Sequence, residues 1–407
     1  MKRIRLVILF FFIVSVKVIA LAPTPSEVSE AYSIITKMQS NEEKIKIAKT
    51  YIQELDIKYP EHMIFLCGLI LRTYLDMGDT SAALLFLQEY EGFINKTEIL
   101  YQALEYQSIA NTFLVAHQAD IALFYAKKSI EYFETIKNKS SNDDTKYDIH
   151  IRICDSKCII GKIYHQKKEY NKALRTFQEI INDKHFSDCY LWFYDYLYFL
   201  RNTGKTEELL REYDKIVFLY KESGTAIPKR IEALVTDISE TVTDRIKEKQ
   251  KRKGISDAKN ALRREMKFRS CYSLAPDIIA TTINSDIFRL SEKRGKVCVL
   301  VFWDPSCSYT IAAMRDINTL KPVFGEKIDV VNITVKNSSQ ESVEKVLNKI
   351  QTNGPVIIGD ETLATTYAIS GSGKVVVVDK NGNIRYVSPF YSPILAALIK
   401  SEISYLL

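Results

Sequence analysis

The chain has 407 residues, 46% hydrophobic and 26% charged, which leaves room for two or three packed domains and excludes extensive disorder. Twenty-four tyrosines and nineteen phenylalanines against fourteen glycines and ten prolines favour packed helices over a turn-rich β architecture. The net charge of +6 is concentrated between Lys221 and Arg269, where 14 basic side chains meet 8 acidic ones. No recognition motif accompanies that patch, so nucleic acid is not an expected partner.

Met1-Lys-Arg-Ile-Arg5 is a basic start, Leu6 to Val14 an apolar run, and Val18-Ile-Ala20 supplies small residues at cleavage spacing. Residues 1–20 are therefore expected to be a signal peptide, with the mature chain beginning near Leu21 and lying in the periplasm or outside the cell. Lys17 interrupts the apolar run, so no stable membrane span is expected after cleavage.

Residues 24–220 are almost continuously helical in pattern. Tyr74 is followed by Gly78 and Ala83, Phe113 by His117 and Ala122, Tyr164 by Lys168 and Ala173, and Leu200 by Gly204 and Leu209. Each large-to-small interval is nine residues with a turn inside it. Gly161-Lys-Ile-Tyr164, Ala173 and Phe177 resemble a tetratricopeptide (TPR) unit. The resemblance implies a degenerate TPR-like solenoid whose concave face holds exported proteins or peptides; a generic stack of helical hairpins is the alternative.

The five histidines (His62, His117, His150, His165 and His185) all fall in this region without an i,i+4 pair. Zinc hydrolysis has no support, and each histidine is expected at the surface or in a hairpin turn. The seven cysteines show no disulfide framework. Cys67, Cys154, Cys158 and Cys189 sit among apolar residues as small core side chains. A metal at Cys154 and Cys158, one helical turn apart, would need His or carboxylate partners nearby. No metal and no cofactor are expected.

From Pro228 the apolar residues Ile231, Leu234, Ile238, Val242 and Ile246 keep a helical period. Lys247 to Lys253 and Gly254 are expected to interrupt it before a basic helix over 255–270. Residues 221–270 thus read as a basic helical linker, solvated by its charge; contact with an anionic membrane surface is the other reading.

Six apolar, largely β-branched positions from Val297 to Phe302 predict a strand buried on both faces. Trp303-Asp304-Pro305-Ser306 breaks it, and Cys307 opens a helical pattern with Ile311, Met314 and Ile317 on one face. A cysteine at that junction meets the positive end of a helix dipole and free N–H groups, which favour thiolate over thiol. Leu274-Ala-Pro-Asp277, Ile287 to Ser291, Phe302-Trp303 and Val375 to Gly382 follow in an order that resembles the TlpA/ResA-like branch of the thioredoxin fold.

The resemblance implies a thioredoxin-like α/β domain over residues 271–407, placed after the helical solenoid. It also implies thiol–disulfide chemistry, commonly outside the cytoplasm. The family's Cys-x-x-Cys motif falls on Cys307 to Thr310, so Cys307 is the candidate thiolate and Thr310 stands at the position of the resolving cysteine. Trp303 precedes the turn, Gly373 falls at the family's cis-proline, and Ala313 at its acidic residue.

Cys298 lies five residues before Trp303, about 16 Å back along the strand, too far for a disulfide, and is expected in the core. Cys271 stays open as a resolving thiol. No histidine follows His185, so Cys–His catalysis within this domain is excluded. Ser306 sits one residue before Cys307, the wrong place for a peroxidatic site. Two functions remain: a monothiol oxidoreductase relying on an outside thiol reductant, or a non-catalytic scaffold joining a TPR-like array to an inactive thioredoxin fold.

Overall fold

The computed structural model describes residues 26–55, 62–141, 143–183, 190–335, 338–350, 352–369, 373–389, 392 and 394–407. The expected signal peptide, His185, Cys189 and residues 370–372 lie outside them. Contacts divide the chain into two compact units, one ending at Ile180 and the other beginning at Ile181.

The first unit is helical: α1 (Ser26–Thr36), α2 (Asn41–Leu55), α3 (Ile64–Asp76), α4 (Thr80–Ile94), α5 (Ile99–Val115), α6 (Ala119–Lys139), α7 (Asp143–Gln166) and α8 (Tyr170–Ile181). Its nine-residue repeat has one physical cause. Gly78, His117 and Lys168 all have left-handed backbones, with φ of 79°, 60° and 61°. This conformation ends one helix and turns the chain into the next.

The following residue then donates its N–H to the carbonyl five back, Asp79 to Tyr74 (3.0 Å), Gln118 to Phe113 (2.9 Å) and Glu169 to Tyr164 (2.8 Å). Ala83, Ala122 and Ala173, five residues beyond each turn, are fully buried. A small side chain there lets the two helices of a hairpin approach closely. A polar network crosses three helices in this unit: Gln107 on α5 donates to Ser156 Oγ on α7 (2.7 Å), which meets Ser129 Oγ on α6 (2.8 Å).

In the second unit, α9 (Tyr190–Asn202) and α10 (Thr206–Glu222) repeat the turn at Gly204, with φ of 69°. The short α11 (Lys229–Glu232) and α12 (Ile238–Thr241) lead to α13 (Asp244–Arg269). The break expected at Lys247 to Gly254 is absent, because one helix runs straight through it. Gly254 is a contact point: a Cβ there would lie 2.4 Å from the Arg211 carbonyl oxygen of α10. Gln250, Gly254, Ala258, Ala261, Leu262 and Glu265 form the buried face of α13. Gln250 Nε2 donates to Glu207 on α10 at 2.7 Å.

The remaining chain builds a six-stranded sheet in the order β1-β8-β7-β4-β5-β6. Its strands are β1 (Ser270–Leu274), β4 (Val297–Trp303), β5 (Ile328–Thr334), β6 (Val356–Ile357), β7 (Lys374–Val378) and β8 (Asn383–Pro389). A hairpin of β2 (Ile279–Thr281) and β3 (Ile287–Arg289) stands apart. β4 runs parallel to β5 and antiparallel to β7. All seven β4 residues are buried.

Val297, Val299, Val301 and Trp303 enter the core that holds Met314, Ile317 and Ile399, whereas Cys298, Leu300 and Phe302 enter the core that holds Ile278, Phe288 and Tyr367. That two-sided burial is what an unbroken β-branched run encodes. The intervening helices are α14 (Ser308–Asn318), α15 (Leu320–Phe324), α16 (Gln340–Leu347) and α17 (Glu361–Thr366), and α18 (Leu395–Leu406) closes the domain. It is tied to α10, with Ser223 Oγ accepting from Ala397 N at 3.1 Å and Lys400 meeting Glu222 at 2.7 Å.

Candidate active site

The turn between β4 and α14 is closed by side chains. Asp304 is 5% exposed, and its Oδ1 accepts from Ser306 N at 2.9 Å and Ser306 Oγ at 2.6 Å. This Asx-type turn needs a short acceptor at the first position and tolerates proline after it. Asp-Pro-Ser was the sequence signal for it, which the resemblance to the family passed over. The Asp304 carbonyl accepts from Cys307 N at 3.0 Å, delivering the cysteine to the N-cap of α14. Cys307 has extended backbone (φ −108°, ψ 109°), and its sulfur makes no capping bond. Its carbonyl accepts from Ile311 N at 3.1 Å, starting the helix. Cys307 is partly exposed and stands where the first N–H groups of the helix lack intrahelical acceptors.

Thr310 occupies the resolving position and is fully buried. Its Oγ1 accepts from Asp304 N at 3.1 Å and lies 3.0 Å from the Asp304 carbonyl and 3.1 Å from the Cys307 carbonyl, either of which takes its proton. The hydroxyl therefore staples the end of β4 to the first turn of α14. A thiol is a weak donor and a weak acceptor, so cysteine at this position would lose most of the staple. Thr310 carries the turn itself, a task its motif position does not reveal.

Gly373 is buried and directly precedes Lys374, which pairs with Phe302. It therefore lies at the end of the sheet from which the Cys307 turn departs. Its φ is 141°. Proline holds φ near −65°, so this backbone excludes it. Lys374 is 8% exposed and donates to the Ala368 carbonyl at 3.1 Å. Tyr367 meets Phe302 in a tilted ring contact at 5.3 Å and donates its hydroxyl to the Pro276 carbonyl; burial pushes that hydroxyl's pKa up.

Trp303 is fully buried beneath the turn, and its indole N–H meets no acceptor among the described residues. Of the four residues singled out by sequence, Cys307 alone is partly exposed, while Thr310, Trp303 and Gly373 are buried around it. Cys298 is buried in the opposite core, and burial pushes its thiol up to about 12. Cys271 lies within edge strand β1. Its sulfur sits 3.8 Å from the Ile384 carbonyl, and partial burial raises its thiol pKa.

The far end of α14 is pinned by a buried amide pair. Asn318 Nδ2 donates to Asn332 Oδ1 on β5 at 2.8 Å, and Asn318 Oδ1 accepts from Asn353 N at 3.0 Å. The helix that carries Cys307 is thus fixed at both ends.

The AhpC/TSA family matches residues 273–387. The thiol-disulfide oxidoreductase ResA of Geobacillus kaustophilus is 26% identical over 117 residues, 28% of this chain and 67% of the relative. ResA of Geobacillus thermodenitrificans is 24% identical over the same shares. Among solved structures, a thiol:disulfide interchange protein, DsbE, from Chlorobium tepidum aligns with a TM-score of 0.32 and 18% identity, covering 33% of this chain and 96% of that one. With β4, the Cys307 turn and α14 arranged as described, the C-terminal part of the chain is a thioredoxin-fold domain of the AhpC/TSA family, similar in sequence to the ResA thiol–disulfide oxidoreductases.

Proposed function

We propose that this is an exported single-thiol protein in which Cys307 captures disulfide partners, delivered by the helical region, and holds them until an outside thiol releases them. One observation carries the reading: Cys307 is partly exposed at a helix N-terminus while Thr310, where a resolving sulfur would sit, is sealed into the turn. The Cys307 thiolate attacks one sulfur of a disulfide, forming a mixed disulfide. The other sulfur leaves as a thiolate and takes its proton from solvent. A second, external thiolate then attacks the mixed disulfide and regenerates Cys307. Export rests on the basic start and apolar run of residues 1–20. Among the described residues no helix is long and apolar enough to cross a membrane.

The test is reaction with an aromatic disulfide in a Cys271→Ser background. A stable adduct on Cys307, one aryl thiolate released per chain, and clearance only on addition of an external thiol are expected. Cys307→Ala should release none. An adduct that fails to form, or that clears unaided, refutes single-thiol capture. The φ of Gly373 favours a second reading, a non-catalytic protein-binding scaffold, because the family's substrate-facing proline has no place there. Under that reading Cys307→Ala leaves partner binding intact.

A further inference from the structure

Helix α13 is packed along one side and bare along the other. At 100° per residue, Arg245, Lys249, Arg252, Ser256, Lys259, Arg263 and Lys267 fall within a sector roughly 80° wide, directly opposite Gly254, Ala258 and Ala261. All seven are exposed. No acidic or apolar residue enters that sector, and the six cations run along about 33 Å of helix. Neighbouring side chains engage two of them: Arg252 meets the Glu248 carboxylate at 3.1 Å, and Lys259 lies over the Phe218 ring at 5.8 Å.

The fold does not need this arrangement. The buried face fixes α13 on α10 through Gly254 and Gln250, and a solvated face would be served equally by mixed charge. Like charges aligned at four- and three-residue spacing repel one another, a cost that an anionic partner removes. The stripe lies along the exposed face of one unbroken helix, so its cations share a single surface. It carries no aromatic side chain for stacking on bases. Without apolar residues it cannot insert, so its contact is electrostatic adsorption.

We propose that the exposed face of α13 binds the anionic headgroups of a phospholipid bilayer, holding the second unit at a membrane surface. The choice of lipid over other polyanions rests on the export reading above; the binding test involves neither Cys307 nor secretion.

The experiment is co-sedimentation of the mature chain, from Leu21 onward, with phosphatidylcholine vesicles and with phosphatidylcholine/phosphatidylglycerol vesicles, at low and high salt. Leaving out residues 1–20 removes both the apolar run and the cations Lys2, Arg3, Arg5 and Lys17, so the difference between the vesicles reads charge on the folded protein. Wild type should bind the anionic vesicles at low salt and leave them at high salt. Each neutralised cation should weaken binding about fivefold, so Arg245→Gln, Lys249→Gln, Arg263→Gln and Lys267→Gln together should weaken it at least a hundredfold. The same number of changes at the exposed Lys37, Lys46, Lys127 and Lys139 should retain most of it.

Equal wild-type binding to neutral vesicles, or salt-resistant binding, overturns the proposal without recourse to any variant. Equal loss in the control set overturns the assignment to α13. Binding to a DNA duplex at salt that strips the vesicles overturns lipid as the partner.

Discussion

The hairpin turns of the helical region and the turn at Cys307 both reverse a chain direction, but they are closed by different atoms. At Gly78, His117, Lys168 and Gly204 the closure is backbone to backbone. Two of those positions are glycine and two are not, and the register survives the change. At Cys307 a single backbone bond, from Cys307 N to the Asp304 carbonyl, is joined by the side chains of Asp304, Ser306 and Thr310, so each identity matters. A backbone device tolerates drift and leaves a periodic trace; a side-chain device is unrepeated and leaves none.

The contrast is sharpest for carboxyl groups removed from water. In the helical region Glu105 accepts the Tyr90 hydroxyl at 2.5 Å, and burial pushes it up to about 7. In the second unit Glu402 on α18 is fully buried, and neither of its oxygens meets a donor among the described residues. Burial pushes it up to about 8, Arg269 opposing and Glu265 assisting.

The unfolded chain ionises this group near 4.5, while the folded chain keeps the proton until about 8. Its contribution to stability is therefore full below about pH 4.5 and falls as pH rises through 8. Glu402→Gln should flatten that fall, by an amount on the order of 3–5 kcal/mol between about pH 5 and pH 9. Urea unfolding midpoints at the two pH values measure it. Unchanged pH dependence in the variant would mean Glu402 is hydrated in the folded protein.

Next in size is the staple. Thr310→Val keeps the shape and removes the hydroxyl, leaving the Asp304 amide as a buried donor without an acceptor. The expected cost is about 1–3 kcal/mol by urea unfolding, with a changed rate of Cys307 alkylation as the turn loosens. Thr310→Cys should behave as a weaker staple but, unlike threonine, should let mixed disulfides clear without an external thiol. If Thr310→Val alters neither stability nor alkylation, the turn is held by Asp304 and Ser306 alone.

On the other side of the comparison, Ala173→Leu places a larger side chain on a fully buried contact, with an expected cost of about 1–3 kcal/mol. A change near zero would mean the helices of that hairpin do not meet there.

Much of this was legible before any coordinates. The β-branched run Val297 to Phe302 announced a central strand because both of its faces are dry, and the nine-residue interval announced the hairpins because a left-handed turn sits inside each. Gly254 misled: a glycine within a basic run reads as a break, yet only the neighbouring helix shows that it is a point of close approach. Thr310 and Gly373 read as losses against the family motif. Their positive roles, three oxygen–nitrogen and oxygen–oxygen contacts for one and a φ forbidden to proline for the other, depend on neighbours that spacing does not name. The α13 stripe was visible as charge but not as a face, since its buried side was unknown.

The smallest expected effect tests whether the hairpin device is truly indifferent to side chains. Lys168 holds φ at 61°, a conformation that costs an L-residue roughly 1 kcal/mol and glycine almost nothing. Glycine also loses more freedom on folding, which opposes part of the gain. Lys168→Gly should therefore stabilise by about 0.5 kcal/mol, read as a small rise in the urea midpoint. Gly78→Ala, at the equivalent turn with φ of 79°, should destabilise by about 1 kcal/mol. His117→Gly should gain less than Lys168→Gly, because its ring nitrogen meets Gln166 Nε2 at 2.5 Å and that contact is lost. If Lys168→Gly instead destabilises as much as Gly78→Ala, side-chain contacts hold that turn, and the division between backbone-closed and side-chain-closed turns fails.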